Sequence, residues 1–457
     1  TFDGQGHTLN IQMTGESAAL FCGLKDAVVK NLVISSSSLF TGTSESASAI
    51  SLNAFGNVTF DNVINRAKVQ GKKSAGAFVA DVVGIGDSLI TVNNCTNEAS
   101  ITFHGDDTDL FATGGFIGAI SNTTKLSIYF TQSIGKEPLI GQKNNSVGGF
   151  VGLVSRNTDV KFLFRECSVE YLNSQISNSN GQVYHGGFIG QIEGNNVMTL
   201  LIENVKSKGD TTTSNNCYMG GFTGIIKNND DMTITVNYFE TTTIASGSNS
   251  LFQKCGGFTG ALTNNSHSTI KISGLQTHNQ IVTYVESYYG GFAGNAESNQ
   301  DMKITLDSFT TSDTIKYYNP SAESYYSGGL FGYIQSNNET TITFMNGASE
   351  SAVTSQVICY IGGFIGCVQD NSDTSLHFYN CTHTGTITAN YNGATAGGFV
   401  GEISNTRGET TSLLFTCLWE TANHTSSSSY SLVSVCTDDS RSTSPFYDIS
   451  GSFCVNK

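Results

Sequence analysis

The chain has 457 residues, with 50 Gly, only 3 Pro and charged residues at 13%, about half the usual share. A net charge of −15 with five arginines (Arg66, Arg156, Arg165, Arg407 and Arg441) leaves no basic stripe for nucleic acid. No apolar run approaches the ~20 residues a membrane-spanning helix needs, and apolar residues never cluster at helical spacing over a useful length.

The chain opens at Thr1, without Met or an apolar leader, and reads as a mature or excised segment. Its first recognisable coil begins there, so an uncapped end with open strand edges is expected. From Gly114 onwards a pentapeptide dominates: Gly114-Gly115-Phe116-Ile117-Gly118 recurs around Phe150, Phe188, Phe222, Phe258, Phe292, Phe364 and Phe399. Leu330 fills the one gap, looser forms occur at Phe21 and Phe78, and the spacing is 34 to 38 residues. A fixed period of that size marks a repeat architecture. The Phe/Leu330 column is expected to be a core ladder.

After each motif a turn carries Asn, in the series Asn122, Asn157, Asn195, Asn228, Asn264, Asn299, Asn337, Asn371 and Asn405. Asn tolerates left-handed backbone and can bond to the rung above, which predicts an Asn ladder. A second strand follows in the pattern apolar-x-apolar-x-x-apolar, as in Ile90/Val92/Cys95, Phe162/Phe164/Cys167 and Leu376/Phe378/Cys381. Its extra residue fits a bulge or corner. A third, less regular apolar segment lies around Ile244, Ile281, Ile315 and Ile387. Three strands per repeat predict an all-β, single-domain parallel β-helix over 1–420, of about 12 or 13 coils of ~35 residues. Residues 421–457 are expected to be irregular, a cap or joining segment.

Strand alternation, if Phe points inward, sends the next residue outward. That column is Ile117, Val151, Ile189, Thr223, Thr259, Ala293, Phe331, Ile365 and Val400, mostly apolar, and is the candidate interface. A column of Tyr184, Tyr218, Tyr288, Tyr326 and Tyr360 reads as a corner ladder or a sugar-binding platform. Eleven cysteines cannot all pair; Cys217 with Cys255 and Cys436 with Cys454 are the candidate disulfides. Eight Asn-x-Ser/Thr sequons, at Asn57, Asn94, Asn122, Asn144, Asn264, Asn338, Asn380 and Asn423, are candidate N-glycosylation sites.

The opening Phe2-Asp3-Gly4-Gln5-Gly6-His7-Thr8-Leu9, with Leu20-Phe21-Cys22-Gly23-Leu24 and Val29-Lys30-Asn31-Leu32, resembles the first coils of GLUG-motif β-helices. These occur in secreted and surface-attached proteins, adhesins among them. The resemblance covers the chain to about Phe415 and implies a right-handed β-helix used as a stalk, adhesin or scaffold.

Catalysis would need carboxylates converging on one outer groove. Asp230, Asp231, Asp301, Asp370 and Asp373 are instead spread over turns whole rungs apart, and His104 to Asp109 reads as a solvated acidic turn. No metal or cofactor motif occurs. The expected function is a non-catalytic extracellular or cell-surface structural glycoprotein. It would associate with itself, as an oligomer or filament, or with another surface protein. An adhesin binding glycan or protein is the alternative, and a carbohydrate-active enzyme the third reading.

Overall fold

A computed structural model of the chain describes residues 1–103, 111–136, 139–140, 145–176, 182–213, 216–247, 253–284, 286–318, 325–389, 394–404, 411–420, 423–426, 430–435 and 447–455. All regular structure among them is β. The chain divides into two compact units, Thr1–Thr233 and Ile234–Lys457, each a parallel β-solenoid.

In the first unit each strand pairs in parallel with its equivalent one coil on. Ile117 lies beside Val151, and Val151 beside Ile189. A representative coil comprises the strands Val183–Gly186, Ile189–Glu193 and Asn196–Thr213. A small separate sheet stacks Gln12–Gly15, Leu39–Gly42, Lys68–Gly71, Ile101–Phe103 and Leu139–Ile140. In the second unit a coil runs through Ser287–Gly290, Ala293–Glu297, Lys303–Asp307, Thr310–Thr311 and Thr314–Tyr317. The next coil lies above it in register, with Tyr288 beside Tyr326, Ile304 beside Ile342 and Ile315 beside Val353.

The number of strands varies from three to five between these two coils, and in both the Gly-Gly-Phe-x-Gly motif is a corner and not a straight strand. One strand ends at the first Gly and another starts after Phe, as in Phe111–Gly114 and Ile117–Ser121. The amides of Phe116 and Ile117 both donate to the Phe150 carbonyl, at 3.0 and 2.8 Å, so two consecutive N–H groups aim at one acceptor. Glycine is required by close approach. A Cβ on Gly187 would meet the Gly221 carbonyl and the Ser207 hydroxyl, and one on Gly190 would meet the Gly152 carbonyl and the Val147 amide.

The Phe column fills the inside of this corner. Phe116, Phe150, Phe188 and Phe222 stack with centroids 4.6, 4.8 and 5.3 Å apart. Phe258 and Phe292 stack at 5.6 Å in the second unit, Leu330 is equally buried, and Phe364 and Phe399 stack at 4.9 Å. Each buried ring contributes about 1.5–3 kcal/mol of transfer free energy.

The candidate interface is corrected by this corner. Ile117, Val151, Ile189, Thr223, Thr259, Ala293, Phe331, Ile365 and Val400 are all 0% exposed. Strand alternation holds only within a strand, and the bend between Phe and the next residue turns both side chains inward. No apolar ribbon runs along that column.

The apolar triplets are buried, and their extra residue is a one-residue left-handed corner, at Asn94 (φ 49°), Glu166 (52°), Asn204 (52°), Ser308 (56°) and Asn380 (50°). The repeat that ends in Gly347 is completed by its neighbour, since the Phe309 ring occupies the space a Cβ there would need. In the 421–457 segment, Asn423–Ser426, Tyr430–Val435 and Tyr447–Val455 are strands. They pair in parallel with Thr386–Ala389, Thr395–Ser404 and Thr411–Glu420.

Candidate functional site

With the Phe and the following residue facing inward, the motif's first and last glycines lie on the outer side of the corner, whereas a Cβ on the second would meet buried side chains such as Val169 or Ser207. On that outer side the strands before and after the motif pack side chain against side chain in a seam. In the second unit one wall is the in-register row Lys254, Tyr288, Tyr326, Tyr360 and Thr395. The other is Ala261, Asn295, Tyr333, Cys367 and Glu402. Contacts cross between the walls: the Tyr333 ring packs on Tyr288 and Tyr326 at 5.3 and 4.5 Å, and the Thr395 hydroxyl donates to Glu402 at 3.2 Å.

The tyrosines stack on one another, Tyr288 on Tyr326 at 4.9 Å and 3°, and Tyr326 on Tyr360 at 5.0 Å and 14°. Ring faces are thus turned to neighbouring rings, while edges and hydroxyls face outward. The geometry is that of a corner ladder, and it leaves little ring face for a sugar. Burial pushes the Tyr288 and Tyr333 phenols far above their ordinary value, so both stay protonated donors. Tyr333 donates to Gln369 and Tyr288 to Glu286. In the first unit Tyr184 and Tyr218 lie 5.3 Å apart, and Lys227 stands 5.0 Å over the Tyr184 ring and 3.2 Å from Glu193.

The Asn ladder exists, one residue later than expected in three rungs. In the first unit it runs Thr123, Asn157, Asn195, Asn229, and in the second Asn265, Asn299, Asn337, Asn371. Within each run the Nδ2 of every Asn but the last donates to the next Oδ1, at 2.9 Å from Asn157 to Asn195 and from Asn195 to Asn229. The same Nδ2 groups donate to backbone carbonyls of the preceding coil, Asn157 to Ile120 and Asn195 to Val154. Asn122, Asn228 and Asn264 are the exposed residues just before, with φ of 55°, 56° and 54°. The turn needs a left-handed residue followed by a buried amide. In Asn228-Asn229 and Asn264-Asn265 either Asn suits both roles by type, and only the second points inward. Asn405 lies outside the described residues.

Neither Cys217 nor Cys255 forms a disulfide; both are buried thiols, and burial pushes Cys255 up to about 12. Cys217 stands three residues before Gly220 and Cys255 one before Gly256, so they belong to different columns. Cys436 and the Cys454 side chain lie outside the described residues. Sequon residues Asn57, Asn94, Asn122, Asn264 and Asn380 are exposed and Asn338 is half-buried; Asn144 and the Asn423 side chain are outside the description. Asn57 borders a polar depression of about 270 Å³ that also holds Asp87, Lys125, Asp159 and Lys161.

Asp231, Asp301, Asp370 and Asp373 occupy left-handed turn positions, and Asp230 opens a strand. His104 to Asp109 fall outside the described residues. Among the described residues no three His, Cys, Asp or Glu side chains gather as a metal site would require. Sequence reasoning missed the seam's polar members, Lys254, Asn295, Glu297 and Glu402. Lys254 was legible as the lysine at the tyrosine column's place two residues before the Gly pair, and the other three only if side-chain alternation is restarted after the motif's last Gly.

The fold defines the class, a parallel β-solenoid repeat protein. No family model, curated protein or solved structure matches the chain.

Proposed function

We propose that the chain is a non-catalytic extracellular structural glycoprotein, a scaffold of the kind that GLUG-motif solenoids provide. One observation carries this reading. Sequon residues Asn94, Asn122, Asn264 and Asn380 all sit at exposed left-handed corners, with φ of 49°, 55°, 54° and 50°. An exposed corner Asn lets a glycan add bulk without disturbing a strand pair, although at Asn380 the glycan would replace the bond from Nδ2 to Asn346 Oδ1. Most of what repeats (Phe column, Asn ladder, motif glycines) serves stacking, and the net charge of −15 speaks against nucleic acid as a partner. Burial of the expected apolar column removes lateral association through that face.

Expression in a eukaryotic secretory host followed by glycopeptide mapping tests the reading. Glycans at the four corner sequons are expected, and a secreted chain bearing none would overturn it. Light scattering over a concentration series then separates an assembling scaffold from a monomer. An adhesin is the second reading, favoured by the half-exposed edge of the Tyr288, Tyr326 and Tyr360 ladder. Loss of glycan-array binding in Tyr288→Ala and Tyr326→Ala would support it.

A further inference from the structure

In this seam of the second unit stand three polar groups that the repeat pattern does not explain. Lys254, in the strand Gln253–Gly256, takes the place that tyrosine holds in the next three coils. It is 6% exposed, and its ammonium lies 5.7 Å from the Tyr288 ring centroid. Asn295 and Glu297 lie one coil on, in Ala293–Glu297. Glu297 Oε2 accepts from Lys254 Nζ at 3.2 Å and from Asn295 Nδ2 at 2.8 Å. One carboxylate oxygen thus bridges an amine and a primary amide. Asn295 is 1% exposed, and its Oδ1 has no hydrogen-bond partner, an exception among buried polar atoms that asks for an account.

We propose that Lys254 and Asn295 become joined by an autocatalytic isopeptide bond, with Glu297 as the proton relay. Nζ attacks the Asn295 Cγ; the Nζ–Cγ bond forms, the Cγ–Nδ2 bond breaks and ammonia leaves. Glu297 takes the proton from the attacking nitrogen and delivers it to the departing one, and both already touch the same oxygen. No oxidant, metal or cofactor enters the balance. Burial lowers the Lys254 pKa, which raises the fraction of nucleophilic neutral amine. Burial of Lys254 and Asn295 limits the water that would otherwise hydrolyse the amide, while the Glu297 side chain stays partly exposed. The unpartnered Oδ1 leaves the amide free to swing into line without breaking a hydrogen bond at its carbonyl.

The first unit holds a non-reacting counterpart. Lys227 Nζ approaches Glu193 Oε1 at 3.2 Å, while Gln191 donates to the other oxygen, Oε2. The Gln191 carbonyl is occupied by the Ser146 hydroxyl at 2.6 Å. Amine and amide sit on different oxygens, and the carbonyl is held.

Intact mass and peptide mapping of the full chain, made without glycosylation, decide the proposal. The expected mass is below that of the sequence by about 17 Da, one ammonia. Trypsin should fail to cut after Lys254, whose peptide is recovered linked to the one carrying Asn295. Lys254→Arg and Glu297→Gln should each restore the full mass, and Lys227→Arg should leave the deficit in place. A full-length mass with cleavage at Lys254 would overturn the proposal, and so would the same deficit without a linked peptide. The wild-type map alone decides if a variant fails to fold.

Discussion

Asp313 is buried in a turn of the second unit, where its Oδ1 accepts from the Asn279 amide at 2.7 Å and its Oδ2 from the Thr277 hydroxyl at 2.8 Å. Burial outweighs these donors and raises the carboxyl above its ordinary 3.8. Folding therefore favours the protonated acid: the contribution is fully present below about pH 4 and is lost as pH rises through the folded value. Asp313→Asn keeps one acceptor oxygen and removes the charge, so its stability relative to wild type should be higher at pH 7 than at pH 4. Urea midpoints at pH 4 and pH 7 measure this, and an unchanged gap between mutant and wild type across that range would refute it. His185 of the first unit has the opposite sign. It stands in register between Val147 and Met219, and burial lowers its pKa from 6.5 to about 4. Stability is full above pH 6.5 and is lost as pH falls towards 4, because the unfolded chain takes up the proton first. His185→Met, copying the next coil, should flatten the thermal midpoint between pH 6.5 and 4.

At the scale of the element, the turn after each motif pairs a left-handed residue with a buried amide. Asn229 Oδ1 accepts from the Asn195 amide at 3.0 Å and its side chain at 2.9 Å, and its Nδ2 donates to the Lys227 and Ile192 carbonyls. Asn229→Ala strands these groups and should cost about 2–4 kcal/mol, several times the net value of one hydrogen bond. Asn228→Gly, one residue earlier at φ 56°, should change stability by less than about 0.5 kcal/mol. Chemical denaturation of the two variants tests the register of the ladder directly. The sequence showed that an Asn ladder exists. It could not show which of two adjacent asparagines turns inward, because that depends on where the left-handed residue falls. The Gly-Gly-Phe corner went unread for a related reason. Alternation predicts faces within a strand, and the bend that resets it is marked only by glycines, which also occur in strands.

For the whole chain, a net charge of −15 and a pI near 4.9 keep molecules apart at neutral pH. Sedimentation velocity should show self-association growing as pH falls from 8 towards 5, and reversing when pH is restored. The fold class was legible in the amino-acid sequence alone, since the period of the Phe column and the apolar triplets admits only a stacked coil. So was the burial of Phe116, Phe150 and their equivalents, because a large ring repeated at one place must fill a core. The tertiary structure alone decided that Ile117, Val151 and the rest of their column lie inside, and that Cys217 and Cys255 are buried thiols. It alone brought Lys254, Asn295 and Glu297 together, 41 to 43 residues apart in the chain. Periodicity determines which residues stack, whereas the direction in which a side chain points at a corner is set by backbone geometry that no spacing encodes.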